Sequence, residues 1–394
     1  MAIETAQIKR IIHEVYPKIR TLRRDLHRHP ETQFAEVRTA RQVVKHLRKL
    51  KIACRTKVGR TGVVGLLKGK RPGPCVALRA DMDALPVLEK NRVGYRSAVG
   101  GKMHACGHDG HTANLVGVAH VLHRCRDHIR GSVKFIFQPA EESGLQGGAE
   151  LMIADGTLRN PKPDVIFGLH TSHVYPVGTV ASIPGPCLAS ADFFDVRIHG
   201  RGAHAAYPHK GIDPVTITGA VIQALQTIAS RRIDPLEPVV VTVGRVSGGS
   251  ARNIIPETVT FGGTTRTYDR AVRRTVRRQV QKIPKDVARA MGGSAEVDYL
   301  ECYPAVINDG KVFAFLKATA TSALGRRGLL EAAPSMGGED FAFYLETTPG
   351  VFFWLGNGSP NRQLHSATFN FNDRALKTGM LVMTELVLRW PDRT

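Results

Sequence analysis

CVALRADM, residues 75–82, is a largely apolar, strand-like run, and the acidic residues Asp81 and Asp83 lie at its end. Three later stretches have the same character: VKFIFQP (133–139), DVIFGLH (164–170) and GVFFWLG (350–356). Helix-like segments separate them, and one begins directly after HDGHT (108–112). Strands that alternate with helices predict an α/β fold, here a central mixed β-sheet flanked by helices.

The hydrophobic pattern changes between residues 187 and 305, where polar and apolar residues alternate in three stretches. A period of two predicts antiparallel strands. Two helix-like segments separate these strands, and we expect Pro284 to kink or interrupt the second. The order strand, helix, strand, strand, helix, strand predicts a small α+β domain of ferredoxin-like type. The alternation of strand-like and helix-like segments returns after CYPAVIND (302–309). We therefore predict a discontinuous first domain, residues 1–186 and 306–394, with an inserted domain at residues 187–305.

Composition narrows the class of protein. The 394 residues contain no apolar run of about eighteen residues, so we expect no membrane-spanning segment. The N-terminal stretch lacks the apolar core and small-residue cleavage site of a signal peptide. The six cysteines lie far apart and form no Cys-x-x-Cys pair, which favours reduced thiols. Together these features predict a cytoplasmic protein.

The chain is strongly basic, with 55 Lys and Arg against 34 Asp and Glu residues and a net charge of +21. Such a charge attracts anions, including nucleic acid. Much of it lies at residues 269–289, where apolar residues at helical spacing leave arginines on the other face. We interpret this as a solvated helix face, because no nucleic-acid-binding motif or interleaved aromatic residues accompany it. A basic protein that binds nucleic acid or an anionic surface stays open as the alternative from another functional class.

Metal-capable side chains cluster in MHACGHDGHT, residues 103–112. Cys106 and His108 stand two positions apart on a turn that contains glycine, and both thiolate and imidazole bind first-row metals. Alone, the pair could equally be a buried thiol beside a helix start. In open α/β sheets the ends of strands form one crevice, and three more candidates follow predicted strands. One thiolate, one carboxylate and three imidazoles suit two metal ions that share a bridging ligand. The five candidates are Cys106, His108, Glu142, His170 and His365.

Glu141 and Glu142 are adjacent at the end of a predicted strand. Adjacent extended residues point in different directions, so one can ligate a metal ion while the other acts as general base. A bound divalent ion lowers the pKa of water from about 16 to about 7, and a neighbouring carboxylate can then accept its proton. Two solvated glutamates are the simpler alternative. Their position between QPA and the glycine-rich SGLQGGA favours a functional role.

Nine short motifs, in order along nearly the whole chain, resemble the dinuclear metallopeptidases of the aminoacylase and carboxypeptidase-G type. They are LHRHPE (26–31), RADMDALP (79–86), MHACGHDGHT (103–112), QPAEE (138–142), GLH (168–170), GRGAHAAYPHKGIDP (200–214), NIIPE (253–257), GGEDFAFY (337–344) and LHS (364–366). The chain looks most like the branch of hippurate hydrolases, N-acyl-amino-acid amidohydrolases and auxin-conjugate hydrolases. This resemblance implies a zinc-exopeptidase-like catalytic domain, an inserted lid and dimerisation domain, and a homodimer or higher homo-oligomer.

The resemblance also implies roles for single residues. Glu141 would be the general base. His204, in the inserted domain, would stabilise the oxyanion, in many relatives within the active site of a neighbouring subunit. Asn253 and Arg266 lie where relatives contact the substrate. The metal ligands would be Cys106, His108, Glu142, His170 and His365.

The chain departs from other branches of this family at Asp81-Met82-Asp83, where those branches carry His-x-Asp. The thiolate branch makes the same replacement, so the resemblance implies that Cys106 and His108 substitute for the missing histidine. Asp83 then becomes a carboxylate that supports the ligands rather than binding metal.

Asp109 follows the candidate ligand His108 directly. It could hold His108 or His111 in one tautomer. It could equally cap the helix that follows.

We therefore expect a metal-dependent amidohydrolase that cleaves an N-acyl amino acid to a carboxylic acid and a free amino acid. Two divalent ions per subunit, drawn from Mn, Zn, Co and Ni, would be its cofactors. Two related activities stay open: a dipeptidase or carboxypeptidase on small peptides, and a thiol amidase with Cys106 as nucleophile and His108 as base. The thiol route leaves the two glutamates and His365 without a role.

Overall fold

The computed structural model describes residues 3–358 and 362–393. The α-helices of these residues are α1 Thr5–Arg28, α2 Val37–Lys49, α3 His108–Arg124, α4 Gly148–Ala154, α5 Pro214–Thr227, α6 Arg270–Ala290, α7 Gly310–Leu324, α8 Ala342–Leu345 and α9 Ala375–Arg389. The strands are β1 Ala53–Val58, β2 Gly62–Lys68, β3 Arg71–Asp81, β4 Arg130–Gln138, β5 Val165–Ser172, β6 Val180–Ser182, β7 Gly185–Leu188, β8 Ala191–His199, β9 Ala203–His204, β10 Val239–Gly248, β11 Ile254–Ile255, β12 Thr258–Thr267, β13 Ser294–Tyr303, β14 Val306–Asn308, β15 Leu329–Glu331 and β16 Gly350–Gly356. Short 3-10 segments are Arg126–His128, Glu141–Ser143, Pro208–Lys210 and Trp390–Asp392, and a π-helical turn, Ile228–Arg232, follows α5. Among the described residues no helix has the length and apolar character needed to cross a membrane.

The chain divides into two units. The larger comprises Met1–Cys187, Ile307–Pro334 and Asp340–Thr394. The smaller comprises Leu188–Val306 and Ser335–Glu339.

An eight-stranded mixed sheet organises the larger unit, in the order β1-β2-β4-β3-β5-β16-β6-β15. The four strands in its centre, β4, β3, β5 and β16, are parallel to one another. These are the four strands predicted from apolar runs, and the runs are apolar because parallel strands are covered on both faces. Towards one edge, β2 pairs antiparallel with both β4 and β1. The predicted fold class is confirmed.

Helix α3 carries part of the candidate site and is enclosed by the larger unit. Every residue from His108 to Leu122 is buried. The helix packs against α1, α9 and strand β3, and a Cβ at Gly117 would lie 2.4 Å from Sδ of Met380 on α9. When a helix is packed on all sides, its neighbours fix its rotation about its axis and its position along that axis. Its first turn is therefore a rigid platform for functional side chains.

The smaller unit is built on a four-stranded antiparallel sheet in the order β10-β12-β8-β13. Helices α5 and α6 pack against this sheet and against each other. The chain order β8-α5-β10-β12-α6-β13 is the predicted ferredoxin-like arrangement. We expected Pro284 to kink or interrupt its helix, and the interruption was wrong, since α6 runs unbroken from Arg270 to Ala290. Proline removes a single helix hydrogen bond, and buried Val280 and Ile283 hold this turn against the core.

Five of the six arginines of α6, all except Arg273, are exposed, as the apolar spacing predicted. Arg273 forms an ion pair with Asp192 at 2.6 Å, and Arg277 pairs with Glu301. Arg274 is exposed. This distribution is that of a solvated helix face.

Candidate metal centre

Gly107 separates two of the predicted ligands and lets the chain enter α3. Its φ is +87°, in the left-handed region that favours glycine. A Cβ at this position would lie 2.6 Å from Cγ2 of Thr171, so the turn packs directly on the end of β5. Cys106 and His108 are both buried there, beside the carboxyl ends of the parallel strands.

His170, near the end of β5, presents one nitrogen to Cys106. Its Nδ1 lies 2.7 Å from the carbonyl oxygen of Thr171 and therefore carries a proton. Its Nε2 lies 3.2 Å from Sγ of Cys106. Burial and neighbouring His111 lower the pKa of His170 well below its usual value. The ring is thus neutral at pH 7, which is the form that binds metal.

Two ligand-type atoms face each other beside Cys106: Nε2 of His108, which is buried without a hydrogen bond, and Oε1 of Glu142. They lie 3.9 Å apart, and Oε1 of Glu142 is also 3.1 Å from Nε2 of His365. The ligand atoms of Cys106, His108 and Glu142 all lie within 4.8 Å of one another. Buried polar atoms in proteins nearly always have a partner. Two ligands that each bind an ion at about 2.0–2.3 Å can be up to roughly 4 Å apart, so these residues fit a metal ion.

Asp83 holds the glutamate pair and His108 together. Its Oδ1 accepts hydrogen bonds from the backbone N–H of Glu141 at 3.1 Å and from Nδ1 of His108 at 3.2 Å. Its Oδ2 accepts one from the N–H of Glu142 at 3.0 Å. Because Nδ1 of His108 is engaged in this way, Nε2 is the nitrogen that faces the glutamates.

Glu36 supports the same turn, and no sequence motif predicted its role. Glu141 and Glu142 lie in a 3-10 turn rather than the extended segment expected, because Ala140 before them is left-handed, with φ +52°. The N–H of Ala140 donates to Oε1 of Glu36 at 2.9 Å, and the hydroxyl of Thr61 donates to Oε2 at 2.6 Å. Burial and the charge of Asp83 raise the pKa of Glu36 to about 7. A single glutamate at the start of a helix carries no motif that would reveal this contact.

A second group of metal-capable residues is formed by Asp81, His108, His111 and His170. Most of its atoms already have partners. Nδ1 of His111 donates to Asp81 at 2.7 Å, and Nε2 accepts the backbone N–H of Thr171 at 2.8 Å. The other oxygen of Asp81 accepts from Arg79 at 2.8 Å. Burial would raise the pKa of Asp81, but His108, His111 and Arg79 outweigh it and hold that pKa well below its usual value. This network ties the start of α3 to strands β3 and β5.

Asp109 points away from the histidines that it was expected to orient. Its Oδ2 lies 2.8 Å from Nδ1 of His27 and 3.3 Å from Nη1 of Arg23, both on α1. The N-cap of α3 is Gly107, with no side-chain cap. Since successive helical residues point about 100° apart, the residue after His108 faces α1. Both predicted roles for Asp109 were therefore wrong.

Acidic groups dominate the electrostatics around Cys106. Burial and the charges of Glu142, Glu141 and Asp81 raise the pKa of its thiol well above the usual value. Burial lowers the pKa of His108, but Asp81 and Asp83 outweigh it and raise that pKa to about 10. The cluster thus favours added positive charge. A divalent cation supplies that charge and favours thiolate and neutral imidazole.

His204 and Asn253 lie together in the smaller unit. His204 on β9 pairs with Ile254 of β11, and both predicted residues line a groove of about 750 Å³. The N–H of Ala205 donates to the carbonyl of Asn253 at 3.0 Å. Nδ1 of His204 accepts the N–H of Ala206 at 3.1 Å. In the neutral ring, Nε2 of this exposed histidine is therefore the hydrogen-bond donor.

Arg266 lies on β12 of the smaller unit. Its Nη1 is buried and makes no hydrogen bond, and its guanidinium carbon is 6.0 Å from the centre of the Phe193 ring. Burial lowers the pKa of the guanidinium group, which still stays charged at pH 7. A buried guanidinium nitrogen without a partner is suited to an anion.

Comparison with known proteins assigns the family. The model of peptidase family M20/M25/M40 matches residues 77–389. The chain is 38% identical to the N-acetylcysteine deacetylase of Bacillus subtilis, over 95% of this chain and 97% of that protein. It is 37% identical to thermostable carboxypeptidase 2 of Saccharolobus solfataricus, over 98% of this chain and 99% of that protein. Among solved structures, the Bacillus subtilis YXEP protein, a dinuclear metal-binding peptidase of the M20 family, aligns with a TM-score of 0.84 and 33% identity, over 97% of this chain and 100% of that chain. These similarities confirm the predicted family: the chain belongs to peptidase family M20/M25/M40 and is a metal-dependent hydrolase that acts on amide bonds.

Proposed function

We propose that the protein hydrolyses N-acyl amino acids to a carboxylic acid and a free amino acid. The observation that carries the proposal is the cluster of Cys106, His108 and Glu142, whose ligand atoms all lie within 4.8 Å of one another while Nε2 of His108 is buried without a hydrogen bond. The relative named N-acetylcysteine deacetylase supports the substrate class, because N-acetylcysteine is an N-acyl amino acid.

Two divalent ions are part of the proposal. Thiolate and imidazole ligands suit zinc, cobalt or nickel, and the family resemblance adds manganese. When bound, such ions lower the pKa of a water molecule from about 16 to about 7 and polarise an amide carbonyl. The side chains that would hold them are Cys106, His108, Glu142, His170 and His365.

Glu141 is the general base in this proposal. Its backbone is held by Asp83 at 3.1 Å, and its Oε2 lies 4.0 Å from Nε2 of His108. The carboxylate takes a proton from the attacking water as the water oxygen bonds to the amide carbon. It then delivers that proton to the nitrogen of the leaving amine as the C–N bond breaks.

Three residues of the smaller unit would act on the substrate. His204 would donate from Nε2 to the oxyanion, and Arg266 would bind the substrate carboxylate through the nitrogen that has no partner. Asn253 would contact the substrate beside His204. By the family resemblance His204 serves the active site of a neighbouring subunit, so a homodimer or higher homo-oligomer belongs to the proposal.

Glu141→Gln tests the assignment, with exposed Glu150→Gln as the matched control. Glutamine has the size of glutamate but cannot accept the proton, so kcat should fall by about 10²–10⁴. Metal content, measured by elemental analysis, should stay at the wild-type value in both variants. Normal turnover by Glu141→Gln would refute the role of Glu141.

A carboxypeptidase is the second candidate, because one relative is named a thermostable carboxypeptidase. A panel of N-acyl amino acids and dipeptides, assayed with Mn, Zn, Co and Ni, distinguishes the two activities. Higher kcat/KM on dipeptides would favour the carboxypeptidase. The same panel identifies the metal.

A thiol amidase fits the geometry poorly. The ring nitrogen within hydrogen-bond distance of Sγ of Cys106 belongs to His170 rather than His108. Burial and the neighbouring glutamates raise the pKa of the thiol, whereas a nucleophilic cysteine needs a lowered pKa. Chelation should abolish activity, and added metal should restore it; activity that resists chelation would favour the thiol route.

A further inference from the structure

We propose that a pocket beside α1 binds a small molecule that carries a phosphate group. The pocket belongs to the larger unit and has a volume of about 330 Å³, within the range of small-molecule sites. Tyr16, Arg20 and Arg24 form one wall, and residues 370–374 with Arg362 form the other. None of the residues proposed for hydrolysis lines it.

The sequence of α1 places three of these side chains on one stripe. Tyr16, Arg20 and Arg24 follow each other at intervals of four residues, so they lie above one another on the same helix face. Ile19 and Leu26, on the neighbouring face of the helix, are buried. The arginines are therefore presented to the pocket by a helix that the core holds in place.

Positive charge in the pocket exceeds negative charge. Four guanidinium groups line it, against the single carboxylate of Asp373. Both oxygens of Asp373 are already in ion pairs, Oδ1 with Arg23 at 2.8 Å and Oδ2 with Arg24 at 2.7 Å. Within residues 3–358 and 362–393, the other three guanidinium groups form no ion pair. They are those of Arg20, Arg362 and Arg374.

This charge selects the class of ligand. A monocarboxylate would neutralise one of three guanidinium groups, whereas a phosphate monoester carries nearly two negative charges at neutral pH. Its oxygens also match the fork of the guanidinium group. A phosphate-bearing molecule therefore fits better than the substrate of the proposed hydrolysis.

One wall of the pocket is already ordered. The hydroxyl of Tyr95 donates to Asn370 at 3.1 Å. The guanidinium carbons of Arg23 and Arg24 lie 4.4 Å and 4.6 Å from the centre of the Tyr95 ring. Arg24 is thus held by Asp373 and Tyr95 together. A donor fixed before binding lowers the entropic cost of ligand capture.

Calorimetric titration of the metal-loaded protein tests the proposal, with inorganic phosphate, AMP and uncharged adenosine at one ionic strength. The double variant R20Q/R374Q should bind AMP at least tenfold more weakly. The control R41Q/R48Q removes the same charge from exposed arginines of the larger unit and should bind AMP within twofold of the wild type. Equal affinity for phosphate and AMP would identify phosphate alone as the ligand; tighter binding of AMP would identify a phosphate ester.

Unchanged AMP binding by R20Q/R374Q would show that AMP binds elsewhere and would overturn the proposal. An absence of AMP binding by the wild type would overturn it as well. A crystal of the wild-type protein soaked in tungstate gives a second readout that does not depend on the variant folding. We expect an anomalous peak among Arg20, Arg24 and Arg374. Tungstate at the metal centre alone would overturn the proposal.

Discussion

Asp83→Asn should weaken metal binding although Asp83 is not one of the proposed ligands. Its carboxylate accepts hydrogen bonds from the backbone of Glu141 and Glu142 and from the ring of His108. Asparagine keeps the shape but offers one acceptor oxygen and an NH₂ donor. If its oxygen stays at the Oδ1 position, the NH₂ group faces the N–H of Glu142. The backbone of one proposed ligand then loses its partner.

The size of this effect follows from the bonds that are lost. A hydrogen bond to a charged group contributes about 1.5–3 kcal/mol, and a buried donor without an acceptor costs about 1–3 kcal/mol. A shift of the turn at Glu142 can reduce part of this energetic cost, but the shift moves Oε1 of Glu142 away from His108. Loss of a group that supports metal ligands typically weakens metal affinity 10–100-fold, or about 1.4–2.8 kcal/mol. We expect a change in that range.

Competition with a chelator of known zinc affinity measures the dissociation constant for zinc directly. Asp127→Asn is the matched control, because Asp127 is 81% exposed and its carboxylate lies 3.8 Å from Nζ of Lys70. Circular dichroism checks that both variants are folded. The reasoning fails if Asp83→Asn releases zinc with the same dissociation constant, within twofold, as the wild type and the control.

Two further predictions concern stability. Burial lowers the pKa of His27, but Asp109 outweighs it and raises that pKa from 6.5 to about 9. The protonated ring therefore stabilises the folded protein fully below pH 6.5, and this stabilisation is lost as the pH rises through 9. Denaturant titration should show the free energy of unfolding falling by on the order of 3 kcal/mol from pH 6.5 to 9.5, and an equally steep profile for His27→Gln would contradict this. Gly107→Ala should cost about 1–3 kcal/mol, because φ is +87° and the added Cβ would lie 2.6 Å from Cγ2 of Thr171. Gly94→Ala is its control, because a Cβ at Gly94 would meet no atom within 4 Å. Equal Tm values for the two variants would contradict the predicted strain at Gly107.

The central strands and the cluster of candidate ligands could be predicted because their signals are local. An apolar run ending in carboxylates marks a parallel strand and its functional end, and residue type marks Cys106 and His108 as possible ligands. The partners of Asp109 could not be predicted, because they depend on how α3 is rotated by its packing against α1 and α9. Glu36 was missed for the same reason: it reaches Ala140 across 104 positions of sequence. Long-range packing decides which supporting groups meet the site, and no short motif records it.

The net charge of the chain and the charge of the candidate metal centre have opposite signs. The chain carries a net charge of +21, yet the carboxylates of Asp81, Asp83 and Glu141 lie close to the proposed ligands, which include the carboxylate of Glu142. A bound cation responds mainly to its nearest neighbours, because exposed charges farther than about 8–10 Å are screened at physiological ionic strength. The distant arginines therefore do not prevent the centre from holding cations. They act instead on approaching anions, by steering them to the surface. A strongly basic composition is thus compatible with a site for cations, and by itself it does not indicate binding of nucleic acid.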